Sequence, residues 1–366
     1  MRGAITAAVA AIALSIAAGV PATAAASKPQ PVTVMTYNVF QGSELSHVLG
    51  AKTLAQLGPA VAADYENVIR SNIPERAQAL AAEIQANDPV LVGLQEAVLW
   101  RTSPPGKSPV AIPGAATHVS YDFVKLLVHA LAARGAHYRA VAITNNLDIQ
   151  ATGDFPARAK MDVRYTDRVA ILARSGATIS NPQEHNYQAH DTVNVLGAPI
   201  PVPDGWASVD IKLGGRRFRF ITTHLDGIDD SRSNSIRAAE ASEILRGPAN
   251  TTLPIIFTCD CNATPSTPTH SELVAGGFRD TWAKVHPHLA GLTCCHRSTP
   301  SDPETDVADP HPHQGIVERI DYIWSRAPFG ILAINPLGLN PNDRTHTKPR
   351  LWPSDHLGLV AEFSLH

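Results

Sequence analysis

The sequence predicts an α/β fold, and three observations carry that expectation. The β-branched, alternating run Val32-Thr33-Val34-Met35-Thr36-Tyr37-Asn38-Val39 reads as a strand that ends on a polar residue ahead of Gln41-Gly42. A helix follows: Pro74 suits its first turn, Ala77, Leu80, Ala81 and Ile84 keep helical spacing, and Asn87-Asp88-Pro89 ends it. The apolar run Val90-Leu91-Val92-Gly93-Leu94 is then a buried strand delivering Gln95-Glu96 at its C-terminal end. Strand, helix and strand in this order open a layered α/β architecture.

The rest of the chain continues the pattern. A helix is expected over 121–134, and strands over Val169–Leu172, Trp206–Leu213 and Phe218–Thr222, with Gly214-Gly215 as a hairpin turn. A helix over 231–246 stops at Gly247-Pro248. The strand Leu253–Thr258 leads into Asp260, and strands Ile320–Ser325 and Leu357–Phe363 close the chain. Residues 101–118 read as a Pro/Gly-rich loop, and 144–167, 182–205 and 296–316 as long polar insertions. Loops of that length in a compact domain are commonly functional. There is no repeat of solenoid period and no evident linker.

The N-terminus reads as an export signal over residues 1–26. Arg2 is the positive n-region, residues 4–20 are uncharged, and Ala22-Thr23-Ala24 and Ala24-Ala25-Ala26 fit the small-x-small cleavage rule. An N-terminal membrane anchor is the rival, but an Ala-rich stretch is weakly apolar and short for a span. Residues 27–366 are then read as one catalytic domain, secreted and monomeric. A formal net charge of −3 gives no basic field to gather nucleic acid.

Four cysteines form two close pairs, Cys259/Cys261 and Cys294/Cys295. In an oxidising compartment one or two bridges between the pairs are expected, because neighbouring cysteines rarely bond each other. Free thiols and a zinc site remain alternatives, although the spacing matches no usual structural zinc site. The 16 histidines include no H-E-x-x-H, His311-Pro312-His313 reads as surface loop, and G-x-S-x-G is absent.

Polar residues recur at strand ends: Asn38, Glu96, His224, Asp260 with Asn262, Asp321, and Asp355 with His356. Each alone has a bland reading as a turn residue. Together they build a site at a sheet rim. Thr36-Tyr37-Asn38-Val39, Leu94-Gln95-Glu96, Thr223-His224-Leu225, Asp260-Cys261-Asn262-Ala263, Arg319-Ile320-Asp321-Tyr322-Ile323 and Ser354-Asp355-His356 resemble the ordered motifs of the endonuclease/exonuclease/phosphatase superfamily, from about residue 32 to 364. One departure stands out: Cys259-Asp260-Cys261-Asn262 occupies the place of the family's Gly-Asp-Phe/Leu-Asn.

The resemblance implies a four-layer α/β/β/α sandwich of two mixed sheets, and a hydrolase of phosphate esters. It assigns Glu96 as the main metal ligand, with Asn38 and Asp355 completing the shell. Asp260 and Asn262 would orient the attacking water or the phosphate. His356, paired with Asp321, would move a proton, and His224 would hold a phosphate oxygen or help the leaving group. Hard oxygen ligands suit Mg²⁺, Mn²⁺ or Ca²⁺. Within this class an endonuclease is the leading reading. A sphingomyelinase-like phospholipase, with Pro199–Trp206 as its nearest membrane-entering loop, or a small-molecule phosphatase are rivals on the same core. A secreted binding protein without activity is the rival of another class, and the complete constellation argues against it.

Overall fold

The computed structural model describes residues 31–365 except 107, 229, 297–314 and 327. The signal-like segment 1–26 and the loop His311-Pro312-His313 lie outside the described residues. Two mixed sheets stack face to face with helices on both outer surfaces, the four layers expected.

The nine-stranded sheet sets Pro31–Asn38 between Gly358–Leu365, antiparallel, and Leu91–Gln95, parallel. The six-stranded sheet runs Arg279–Asp280, Asp321–Arg326, Ile255–Asp260, Arg216–His224, Gly205–Leu213, Thr178–Asn186. Helices Leu54–Arg70, Ile73–Asn87 and Phe123–Ala133 cover the first sheet, and Ser233–Arg246 and Pro268–Ala275 cover the second.

Strand parity places the site. Side chains alternate between the two faces of a strand. Val32 and Val34 enter the apolar layer between the sheets, whereas Met35 and Tyr37 pack under the helices. The inward parity therefore continues to Thr36 and Asn38. By the same count Phe218 and Phe220 lead to Thr222 and His224, Ile256 leads to Thr258 and Asp260, and Ile323 shares its face with Asp321. The inter-sheet layer thus turns from apolar to polar at one end. Gln95 stitches that boundary: its Nε2 donates to Thr222 Oγ1 at 2.9 Å and to Thr36 Oγ1 at 3.2 Å.

Several expected loops are strands. Residues 144–167 belong largely to a long hairpin, Tyr138–Gly153 against Met161–Arg174, whose pairing is interrupted between Ala140/Ala142 and Asn145/Asp148. Those irregularities, together with Asn145, Asn146 and Asp148, break the alternation that marks a strand in sequence. Within 182–205, Asp191–Val195 and Ala198–Val202 form a separate hairpin, and 101–118 includes parts of two strands and the short Val110–Ala111. The helix Leu54–Arg70 was not expected, because it contains Gly58-Pro59. Burial of Leu57, Val61, Tyr65 and Val68 against the first sheet outweighs the bond that Pro59 cannot make.

Gly93 lets the sheets approach at the polar boundary, since a Cβ there would collide with the side chains of Thr222 and Thr258. Gly93→Ala is expected to cost about 1–3 kcal/mol, the usual penalty of overpacking, measured by chemical denaturation.

Candidate active site

Three neighbouring strand positions of the second sheet carry the first part of the site. His224 is the register partner of Asp260, and Asp260 that of Asp321, so the three side chains line one edge side by side. From the first sheet Asn38 reaches across: its Nδ2 donates to Glu96 Oε1 and to Asp260 Oδ2, both at 2.9 Å. Its Oδ1 accepts from the Phe40 backbone N–H at 3.0 Å. Asn38 was expected to be a metal ligand. Its amide ties the two carboxylates together, and its oxygen faces the Phe40 N–H beside Glu96.

Glu96 leaves its strand with a left-handed backbone, φ 53°, and its Oε2 accepts from Gln41 N–H at 2.7 Å. Burial and the neighbouring Asp355 push its carboxyl up to about 7. Asp355 is set by Ser354, whose hydroxyl lies 3.1 Å from Asp355 Oδ1 and 2.7 Å from the Asn38 carbonyl. Half-buried Glu96 and buried Asp355, side by side, form a hard-oxygen cradle suited to a divalent cation.

Two histidines flank Asp260. His356 Nδ1 is 2.9 Å from Asp321 Oδ2, and its Nε2 is 3.8 Å from Asp260 Oδ2. Burial works against the imidazolium, yet Asp321, Asp260 and Asp355 together raise His356 well above its ordinary value. On the other side His224 Nε2 lies 3.4 Å from Asp260 Oδ2 and 3.0 Å from Asn262 Nδ2. Burial opposes its charge too, but Asp260, Asp204, Glu96 and Asp167 bring it up to about 9. Asp260 is held below the usual carboxylate range: burial alone would raise it, and His356 and His224 outweigh that cost. Asn262, with φ 45°, is fixed by its N–H to Asp260 Oδ1 at 3.1 Å and its Nδ2 to the Leu225 carbonyl at 3.0 Å.

The structure therefore brings all eight expected residues together, and it adds others. Asp167 and Asp204 stand by His224, with ligand atoms of the three within 4.8 Å of one another. Asp167 precedes the apolar run 169–172, but it fell in a segment read as loop. Arg76, fully buried, donates to the carbonyls of Ser71, Val39, Phe40 and Pro353 at 2.7–3.0 Å, which ties the loop after Asn38 to the loop before Asp355. Its signal in sequence was a cation on the apolar face of the helix Ile73–Asn87.

The cysteines correct the expected pairing. Bridges lie within the pairs, Cys259–Cys261 and Cys294–Cys295, not between them. The first encloses Asp260, because strand Ile255–Asp260 turns sharply there and brings the two sulfurs together on the outer face. The second sits against His356.

A cleft of about 340 Å³ opens over these groups. Its carboxylates include Glu44, Glu96, Asp167, Asp204, Asp260 and Asp355, and one wall is apolar, with Leu45, Leu49, Leu147, Val193, Val202 and Ile228. No lysine or arginine is among the described residues that line it. Trp206, at the end of the loop considered for membrane entry, is buried beside helix Ser233–Arg246 and is no exposed wedge. Among the described residues no helix is long and apolar enough to cross a membrane.

The model of the endonuclease/exonuclease/phosphatase family matches residues 35–356. The chain belongs to this family. Its class is accordingly that of a phosphoester hydrolase. The fold is similar to a humanised zebrafish (D. rerio) TDP2, at 13% identity and TM-score 0.52, covering 92% of this chain and 99% of that one. It is also similar to a Bacteroides thetaiotaomicron mannosyl-6-phosphatase, at 16% and 0.54, covering 91% and 100%. The human Nocturnin catalytic domain with bound sulfate matches at 16% and 0.51, covering 92% and 94%. At these identities the likeness is one of fold. A comparison of the sequence with curated proteins returned no match.

A proton would compete with a cation held at Glu96, so divalent-metal affinity is expected to strengthen as pH rises through about 7. The sign follows from a raised carboxyl, which keeps its proton up to that pH and must lose it to bind metal. Calorimetric titration with Mn²⁺ between about pH 6 and about pH 8 checks this, with proton release falling as pH rises.

Proposed function

We propose that the protein is an exported, divalent-metal-dependent phosphodiesterase that works without a covalent enzyme intermediate. One observation carries the reading: two carboxylate-flanked imidazoles, His356 and His224, stand on either side of Asp260, beside the neighbouring carboxylates Glu96 and Asp355. Hydrolysis of a diester needs a proton taken from water on one side of phosphorus and one supplied to the leaving oxygen on the other. The arrangement provides a proton carrier for each.

Glu96 and Asp355 would hold the ion, most simply Mg²⁺, Mn²⁺ or Ca²⁺. Bound there, it supplies charge neutralisation at the phosphate. Asp260 and Asn262 orient the water and the phosphate oxygens. Asp260, kept ionised by the two histidines, accepts hydrogen bonds from the attacking water, with His356 steadied by Asp321 as its proton partner. His224 delivers a proton to the departing oxygen. Asn38 keeps Glu96 and Asp260 in register across the two sheets.

The lining favours a compact diester over a long polyanion. Nucleic-acid binding rests on phosphate neutralisation by Lys and Arg, and the described lining offers neither. The apolar wall suits a substrate with an apolar group beside the phosphate, which makes a phospholipid headgroup the second reading. Fold neighbours differ in substrate: one TDP2 structure holds a single-stranded DNA product, and another neighbour is a mannosyl-6-phosphatase. Export rests on the sequence of residues 1–26, and residues 27–366 are taken as one catalytic domain.

Purified mature protein should lose turnover on chelation with EDTA and regain it with Mg²⁺ or Mn²⁺. Glu96→Gln should lose most of its rate and recover part of it in excess metal. A panel of plasmid DNA, RNA, sphingomyelin, bis(p-nitrophenyl) phosphate and a phosphomonoester reads the substrate class, with small or lipid diesters expected to lead. Full activity after exhaustive chelation refutes the metal assignment, and preference for DNA refutes the reading of the cleft.

A further inference from the structure

Both cystines of this chain sit within the catalytic architecture, and they differ in access. Cys259 and Cys261 are sealed, at 0% and 1% exposure. Cys295 is half-buried, and together with Cys294 it lines the cleft. The sulfurs of Cys294 and Cys295 lie 3.7 and 3.6 Å from His356 Nε2. The segment that carries them also anchors the backbone of the His356–Asp321 pair. Thr293 Oγ1 accepts from Asp321 N–H at 3.1 Å, the Thr293 carbonyl accepts from Leu357 N–H at 2.8 Å, and His296 N–H donates to the Asp355 carbonyl at 2.8 Å.

We propose that Cys294–Cys295 is a thiol-exchange site that controls His356, with small thiols and dithiols as its reaction partners. A thiolate entering the cleft attacks the Cys295 sulfur, forms a new S–S bond to it and expels the Cys294 sulfur, which takes up a proton. A second thiolate attacks the sulfur of the attached small thiol, the Cys295 sulfur leaves, and it too takes up a proton. In sum two thiols are oxidised to one disulfide, and the cystine is reduced to two cysteines. A small-molecule disulfide runs the sequence backwards.

Each product disturbs the same atom. The mixed disulfide on Cys295 occupies the space beside Nε2, and in the dithiol two S–H groups compete for it. Opening the bond also frees the segment that braces Asp321 and Asp355. The other cystine is shielded from the same reagent by burial, which makes the response local. The effect on turnover rests on the acid/base reading of His356, whereas the exchange itself does not.

The mature protein is treated with graded dithiothreitol, alkylated in the native state and mapped by peptide mass spectrometry, while the His356 ring resonance is followed by NMR. Turnover of bis(p-nitrophenyl) phosphate with Mg²⁺ is measured alongside. Cys294 and Cys295 should label before Cys259 and Cys261, the His356 resonance should move over the same range, and turnover should fall about tenfold or more. Oxidised dithiothreitol should reverse all three changes. C259A/C261A should keep the response, and C294S/C295S should be insensitive to reductant. Labelling of Cys259 and Cys261 first, or opening of Cys294–Cys295 with an unmoved His356 resonance, overturns the proposal. If the oxidised protein cleaves no diester, the functional reading fails, and labelling with NMR still decides the exchange site.

Discussion

The side-chain amide of Asn38 joins the two sheets at the catalytic edge. One of its protons goes to Glu96, which follows a strand of the first sheet, and the other to Asp260, which ends a strand of the second. Because Phe40 N–H fixes its oxygen, the amide has one orientation open to it. Two carboxylates from different layers are thereby held at a set separation. The apolar faces below supply the driving force for stacking, but they are non-directional and specify no such distance. The Gln95 contacts with Thr36 and Thr222 make the transition from one regime to the other.

That edge concentrates negative charge in a buried place, and the fold carries the cost in identifiable ways. Asp260 is compensated by His224 and His356, and Asp321 by His356. Arg76 brings a cation beneath Glu96 and Asp355 while satisfying four backbone carbonyls, although burial lowers it to about 10. Glu96 and Asn262 occupy left-handed backbone conformations, each costing roughly 1–3 kcal/mol. In return their side chains point back into the cleft from positions just past a strand end. Even so, burial and Asp355 keep the Glu96 carboxyl raised, a cost that a divalent ion would relieve.

Much of this edge was legible because burial and chemistry alternate along the same strands. An apolar run that ends in Asn38, Glu96, His224 or Asp260 announces both a core strand and a polar terminus. Helix Leu54–Arg70 was hidden by Gly58-Pro59, and the hairpin of Tyr138–Gly153 with Met161–Arg174 by its bulges, since both erase the local period on which such reading depends. Asp167 was lost with that hairpin. Arg76 was visible as an anomaly on an apolar helix face, but its carbonyl partners are distant in sequence. The cysteine pairing was not legible, because four cysteines allow three connectivities and the choice depends on how sharply the chain turns around Asp260.

The mechanism proposed for this edge requires Asp321 and His356 to act as one proton-handling unit beside the carboxylates that would hold a metal. A double-mutant cycle of Asp321→Asn and His356→Ala, read in kcat at saturating metal, tests it most directly. Each single change should lower kcat by about 10²–10⁴-fold, and the double mutant should be little worse than either. Independent, multiplicative losses would contradict the account.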